Sequence, residues 1–192
     1  MKKTLIIFLL TALLLGAVSY GLITVEMENA RAHHLELMQT LLPGSEQFVR
    51  EAYSGEDANI RSVHKAENGF VIETVTRGYV DDITMLIAVS NEGKVVGLVV
   101  CEAHETFGLG SKSLNDHVFL SQFLNSGGIF EIGAVDAFSG ATGAVVETGD
   151  TVSVDGISGA TVTSKAIVRC VNSAVSYVTG ADAGSGATSW GG

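Results

Sequence analysis

The sequence predicts an α+β protein in which a single N-terminal transmembrane helix leads into a domain built on an antiparallel sheet. Three observations carry this expectation. An apolar run of 22 residues, Thr4 to Val25, follows Lys2 and Lys3. From Ile60 onward come short runs rich in β-branched residues, the texture of strands. A last segment, Ser164 to Val178, repeats Ile167, Val168, Val171, Ala174, Val175 and Val178 at helical spacing.

The apolar run is broken only by small or hydroxylated side chains. At 1.5 Å per residue it reaches roughly 33 Å as a helix, enough for a bilayer's hydrocarbon core. With Lys2 and Lys3 in front of it, the positive-inside bias keeps the N-terminus in the cytoplasm and exports the rest. A cleaved signal peptide is the rival, because Ala17-Val18-Ser19 loosely resembles a cleavage site. The stretch continues through Gly21-Leu22-Ile23-Thr24-Val25, long for such a peptide, and this favours a retained anchor at residues 1–25.

Residues 26–44 form a membrane-proximal helix and linker, with Leu35, Met38 and Leu42 on one side and Pro43-Gly44 as its stop. The main domain covers residues 45–179. Its strands are Gly69–Thr76, Ile83–Val89 and Lys94–Cys101; the last two flank Ser90-Asn91-Glu92-Gly93 and make a hairpin. Ser113 caps a helix running through Leu114, Val118, Phe119 and Phe123. Residues 180–192, rich in Gly, Ala and Ser, read as a flexible tail.

Charge narrows the function. The net charge is −10, and setting Lys2 and Lys3 aside leaves 21 acidic against nine basic residues in the rest. Such a surface repels polyanions, so nucleic-acid binding is excluded. Cys101 and Cys170 are far apart in apolar contexts and read as two buried core thiols. The five histidines, His33-His34 among them, show no ligand spacing, so no metal site is expected.

Chemistry concentrates in Asp155-Gly156-Ile157-Ser158-Gly159-Ala160-Thr161-Val162-Thr163-Ser164, where a glycine turn meets the last helix. Small residues let the backbone turn tightly, and hydroxyls gather where unpaired helix N–H groups emerge. Those groups and the positive end of the helix dipole favour a phosphate. A Gly turn before a Ser/Thr-capped helix accounts for the same residues equally well.

Asp155-Gly-Ile-Ser-Gly-Ala-Thr161 resembles the flavinylation signature, Asp-x-x-[Ser/Thr]-Gly-Ala-Thr, of the FMN-binding subunits of Rnf and Na⁺-translocating NADH:quinone oxidoreductase complexes. Gly78-Tyr79, the hairpin after it and His104-Glu105-Thr106-Phe107-Gly108-Leu109-Gly110-Ser111-Lys112 resemble the family's strand pair and its Glu-Thr-Pro-Gly-Leu-Gly loop. Phe107 stands where proline is usual, which removes a φ lock. The length, one anchor and an exported domain match the Rnf G subunit better than the longer quinone-reductase C subunit. The resemblance leaves out only Phe130–Ser153 and the tail.

The resemblance implies FMN held by a phosphoester to Thr161, placed there by a flavin transferase that takes FMN from FAD with Mg²⁺. Asp155, Ser158, Gly159, Ala160, Thr163 and Ser164 would surround the attachment point, and Glu105, Thr106, Gly108, Leu109 and Lys112 would contact the flavin. The implied role is an electron-transfer subunit of a membrane complex coupling ferredoxin and NAD⁺ oxidoreduction to Na⁺ or H⁺ export. Its partners would be the complex's other membrane and flavin or iron–sulfur subunits. No residue is a convincing general acid or base, so no catalysis is expected from this chain alone. The anchor carries no charge for an ion path, which puts pumping in other subunits. A stand-alone extracytoplasmic flavin reductase and a non-redox anchored binding module are the alternatives. Stable membrane partners kept through purification in mild detergent would argue against the first, and a coloured protein made with the transferase would argue against the second.

Three segments satisfy the seven-residue pattern: Asp136–Thr142, Asp155–Thr161 and Asp182–Thr188. After Thr188 the chain stops within four residues. After Thr142 comes a short stretch carrying Glu147 and Asp150. Thr161 alone precedes a long helix, with Lys165 nearby, and is the expected attachment point.

Overall fold

A computed structural model describes residues 2–105, 110–133, 146–148 and 151–181. The side chains of residues 2–12, 18, 22, 112, 113 and 146–148 are outside the described set. The chain divides into two units, Met1–Leu37 and Met38–Gly192.

The first unit is most of one helix, α1, Lys2–Leu41. It runs without a break from the apolar stretch into the charged segment after Val25. Among the described residues no helix is long and apolar enough to cross a membrane. The single transmembrane helix expected at residues 1–25 is thus not seen as a separate element. The apolar run fills only the first part of α1, and the side chains of that run's first nine residues, Thr4–Ala12, fall outside the description.

The second unit opens with the last turn of α1, where Met38 is buried together with Leu42, the residue after the helix. Pro43-Gly44 ends the helix as expected, with Gly44 at φ +84°. Five strands then form a wholly antiparallel sheet in chain order: β1 Val49–Glu51, β2 Ile60–Ala66, β3 Gly69–Arg77, β4 Asp82–Ser90 and β5 Val95–Glu102. The three expected strands appear within a residue of their expected bounds, and Gly93 turns the β4–β5 hairpin at φ +82°.

The expected helix from Ser113 is two shorter ones, α2 Gly110–Asn115 and α3 His117–Ser121. Asp116 breaks the run because its carboxylate accepts from the N–H groups of Val118 and Phe119, capping α3 instead of continuing α2. A second sheet went unforeseen. Its strands are β6 Ile129–Ile132, β7 Val146–Thr148 and β8 Thr151–Val154, in the order β6-β8-β7, with β6 and β8 parallel. Strands of three or four residues carry too little period to read from sequence.

The last helix, α4 Thr161–Thr179, is longer at its start than Ser164–Val178 and ends on Gly180 in the left-handed conformation. It packs against β3 and β4 on one side and β6 on another. Ala166, Cys170 and Ser173 present small side chains to the large sheet. There Thr76 Oγ1 donates to Ala166 O at 2.9 Å and contacts Cys170 Sγ at 3.3 Å. Burial pushes the Cys170 thiol up, so it stays protonated. Cys101, expected in the core, is exposed near the end of edge strand β5.

On the other side of α4, buried Asn172 accepts from Phe130 N and donates to Phe130 O, both at 2.8 Å. Phe130 in turn meets Phe123 edge-on at 5.2 Å. Asn172→Leu strands a buried donor and a buried acceptor together. We expect it to lower unfolding free energy by at least about 2 kcal/mol, read as a lower urea midpoint at unchanged slope.

Candidate functional site

Three segments converge at the N-terminal end of α4. The first is the tight β3–β4 connection, residues 78–81, where Gly78 N donates to Asp81 O at 2.8 Å. The second is the stretch after β5 together with the start of α2. The third is the loop from Asp155 into α4.

Glu105 joins all three. Its Oε1 accepts from Val80 N at 3.0 Å, and its Oε2 accepts from Thr163 Oγ1 at 2.6 Å. The carboxylate fits because glycines line its bed. A Cβ on Gly110 would lie 2.5 Å from Oε2 and 2.8 Å from Thr163 Oγ1, and one on Gly78 would collide with Oε1. Glu105 is half-buried rather than a solvent-exposed loop residue. Tyr79 and Val80 stay exposed beside it, at 66% and 46%.

The Asp155–Ala160 loop is held by its backbone. Asp155 N donates to Gln122 Oε1 at 2.7 Å, and Asp155 O accepts from Gln122 Nε2 at 3.1 Å. Ile157 N donates to the buried Ser164 Oγ at 3.3 Å, and Ala160 N to Ile157 O at 3.0 Å. Ser158 and Gly159 form the exposed tip. Gly159 sits at φ +79°, a conformation side chains disfavour.

Thr161 is the first residue of α4, one position into the helix, and is exposed. Ala160 occupies the cap position, and among the described residues no side chain caps the helix. The Ala160 cap position thus leaves the first-turn N–H groups without a capping side chain of its own, beside the exposed residues Thr161 and Lys165, at the positive end of a 19-residue helix. A phosphate ester on Thr161 fits this donor set. The capped-helix alternative would have needed an oxygen where Ala160 stands.

The expected site residues divide accordingly. Thr161, Ser158 and Gly159 face solvent, and Ala160 is buried under them. Thr163 and Ser164 spend their hydroxyls inside the protein, on Glu105 and Ile157. Asp155 is half-buried and anchored through its backbone. Thr106, Gly108 and Leu109 lie outside the described residues, as do Phe107 and the pattern segments ending at Thr142 and Thr188. Lys112 is in α2, with its side chain outside the description. Gln122 escaped sequence reading because nothing local marks a partner 33 residues away.

Comparison with known proteins adds an independent view. The model of the FMN-binding domain family matches residues 78–176, just over half the chain and all three segments of the site. The G subunit of the proton-translocating ferredoxin:NAD(+) oxidoreductase complex from Clostridium ljungdahlii is 32% identical over 110 residues, which are 57% of this chain and 53% of that protein. The chain thus spans about half the length of that curated relative. The crystal structure of Shewanella oneidensis NqrC superposes with a TM-score of 0.43 at 26% identity, covering 64% of this chain and 61% of that one.

The Glu105 junction is open to a direct test. Thr163→Val keeps shape but removes a hydrogen bond to a carboxylate, and should cost about 1.5–3 kcal/mol. Thr163→Ser keeps the hydroxyl and should lose well under half of that by urea denaturation.

Proposed function

This chain belongs to the FMN-binding domain family, and from that premise we propose that it is an electron-transfer subunit carrying FMN as a phosphoester on Thr161. The observation that carries the proposal is the exposed Thr161 hydroxyl at the start of a long helix whose cap position holds an alanine. FMN supplies one- and two-electron redox chemistry when bound. This chain's residues hold the phosphate, exclude alternatives and fix orientation.

Attachment is a group transfer from FAD, catalysed by a flavin transferase with Mg²⁺. The Thr161 Oγ–P bond forms, the pyrophosphate P–O bond breaks and AMP leaves. The hydroxyl proton passes to a base on the transferase, because a threonine hydroxyl is too weak a nucleophile unaided. Around Thr161 the backbone N–H groups at the start of α4 would hold the phosphate. Exposed Tyr79 and Val80 lie at the neighbouring turn, tied to α4 through Glu105. Glu105, Thr106, Gly108, Leu109 and Lys112 are the remaining proposed contacts.

The protein works within a membrane complex resembling the ferredoxin:NAD⁺ oxidoreductase whose G subunit it matches. A fixed flavin suits a relay between neighbouring membrane, flavin or iron–sulfur subunits, with ion translocation carried by those neighbours. The run Thr4–Val25 anchors it, with the N-terminus cytoplasmic and residues 45–179 outside. A Cβ at Gly16 or Gly21 would meet nothing within 4 Å, which leaves that small-residue stretch open to a partner helix.

Two measurements test this. Fused after Gly192, a reporter that works only outside the cytoplasm should be active; activity of a cytoplasm-restricted reporter there would overturn the topology. Protein made with the transferase should carry the added mass of one flavin phosphoester. Thr161→Ala should abolish that mass in a folded domain, whereas Thr142→Ala and Thr188→Ala should keep it. Flavin peptide from Thr161→Ala protein mapping to Thr142 would overturn the assignment.

A further inference from the structure

Gln122 is the C-cap residue of α3 and is 2% exposed. Its amide pairs with both backbone groups of Asp155, as a neighbouring strand would. The position is telling. The parallel β6–β8 ladder ends at Ile132↔Val154, and Gly133 N reaches Val154 O at 2.9 Å. Asp155 is the next residue, the first of the seven-residue modification pattern. Gln122 thus extends the pairing by one step, from a different element, at the point where the loop leaves the sheet.

Two further ties of this loop among the described residues are local. Ile157 N to Ser164 Oγ and Ala160 N to Ile157 O hold its far end to α4. Without Gln122 that end would stay attached while the backbone of Asp155 lost both of its hydrogen bonds to α3's cap residue. The buried donor and acceptor of Asp155 would then seek other partners, and the loop would sample other shapes.

We propose that Gln122 is a positioning residue for flavin attachment: it holds Asp155–Thr161 in the shape that the flavin transferase reads, before any flavin is present. This rests on the assignment of Thr161 under Proposed function. An enzyme that binds a modification loop in one shape sees an affinity reduced by the fraction of protein not in that shape. Once bound, the loop is in the right shape whatever held it beforehand. Loss of Gln122 therefore raises KM for the protein substrate and leaves kcat nearly unchanged.

The test is steady-state flavin transfer to the purified full-length apoprotein, with FAD, Mg²⁺ and the transferase, followed by intact-protein mass. Gln122→Ala should raise KM about tenfold with kcat within about twofold of wild type. Gln122→Glu keeps the acceptor for Asp155 N but sets a carboxylate against Asp155 O. Protonation of that buried carboxyl restores the donor, so its KM penalty relative to wild type should shrink as pH falls from about 8 to about 6. Asn59→Ala, which removes a hydrogen bond to Ser173 Oγ on α4, controls for stability loss alone.

Wild-type KM in Gln122→Ala, or an equal rise in Asn59→Ala, overturns the proposal while leaving Thr161 as the attachment site. If Gln122→Ala does not fold, a pH-independent penalty in Gln122→Glu overturns it. Wild-type protein that gains no flavin overturns the assignment of Thr161 itself, and this inference with it.

Discussion

Burial of α4 on two sides is the constraint on which the rest of the domain depends. A helix lying on one sheet shows a single apolar stripe. Here Thr163, Ser164, Ala166, Ile167, Val168, Cys170, Val171, Asn172, Ser173, Ala174 and Val175 are all buried, which leaves only a narrow outward strip with Lys165 and Arg169. One flank meets the five-stranded sheet through small residues, and the other meets β6 through Asn172. Neither sheet has a complete core without the helix. The position of its first residue is therefore set by the whole domain rather than by the loop before it.

Polar groups tune that packing. Buried amides cost free energy unless both their donors and acceptors are met. Asn172 and Gln122 meet theirs on the backbones of Phe130 and Asp155, fastening the small sheet to α4 and to α3 respectively. Short strands of three or four residues gain little from their own ladders. Side-chain amides and the Phe119–Phe123–Phe130 contacts hold them in place.

At the open end of the helix, the residues that hold the fold together also frame the proposed site. Glu105 ties the β3–β4 turn to Thr163, and Arg169 donates to Arg77 O at 2.7 Å on the same side. The turn that exposes Tyr79 and Val80 is thereby fixed relative to Thr161. A rigid frame around Thr161 is what the proposed flavin relay would need, since electron transfer depends on distance and orientation that the protein must hold.

The sequence alone determined the strands β3, β4 and β5, their hairpin and the end of α1 at Pro43-Gly44, and it singled out Asp155–Thr161 as the segment proposed to carry the chemistry. Each is a local property: β-branched runs, a turn glycine, a stop signal, or small and hydroxylated residues before a helical period. The tertiary structure decided the rest. Asp116 split one helix into two because capping α3 satisfied its first N–H groups. Cys101 fell on an exposed part of edge strand β5, although Val99 and Val100 before it are apolar. Thr163 and Ser164 looked like cofactor contacts but turn inward, since their partners are Glu105, 58 residues away, and the backbone of Ile157. Gln122 gave no local sign, because its pairing with Asp155 exists only once α3 and β8 lie side by side. Periodicity records which face of an element is buried, and only the folded chain determines which group waits on the other side.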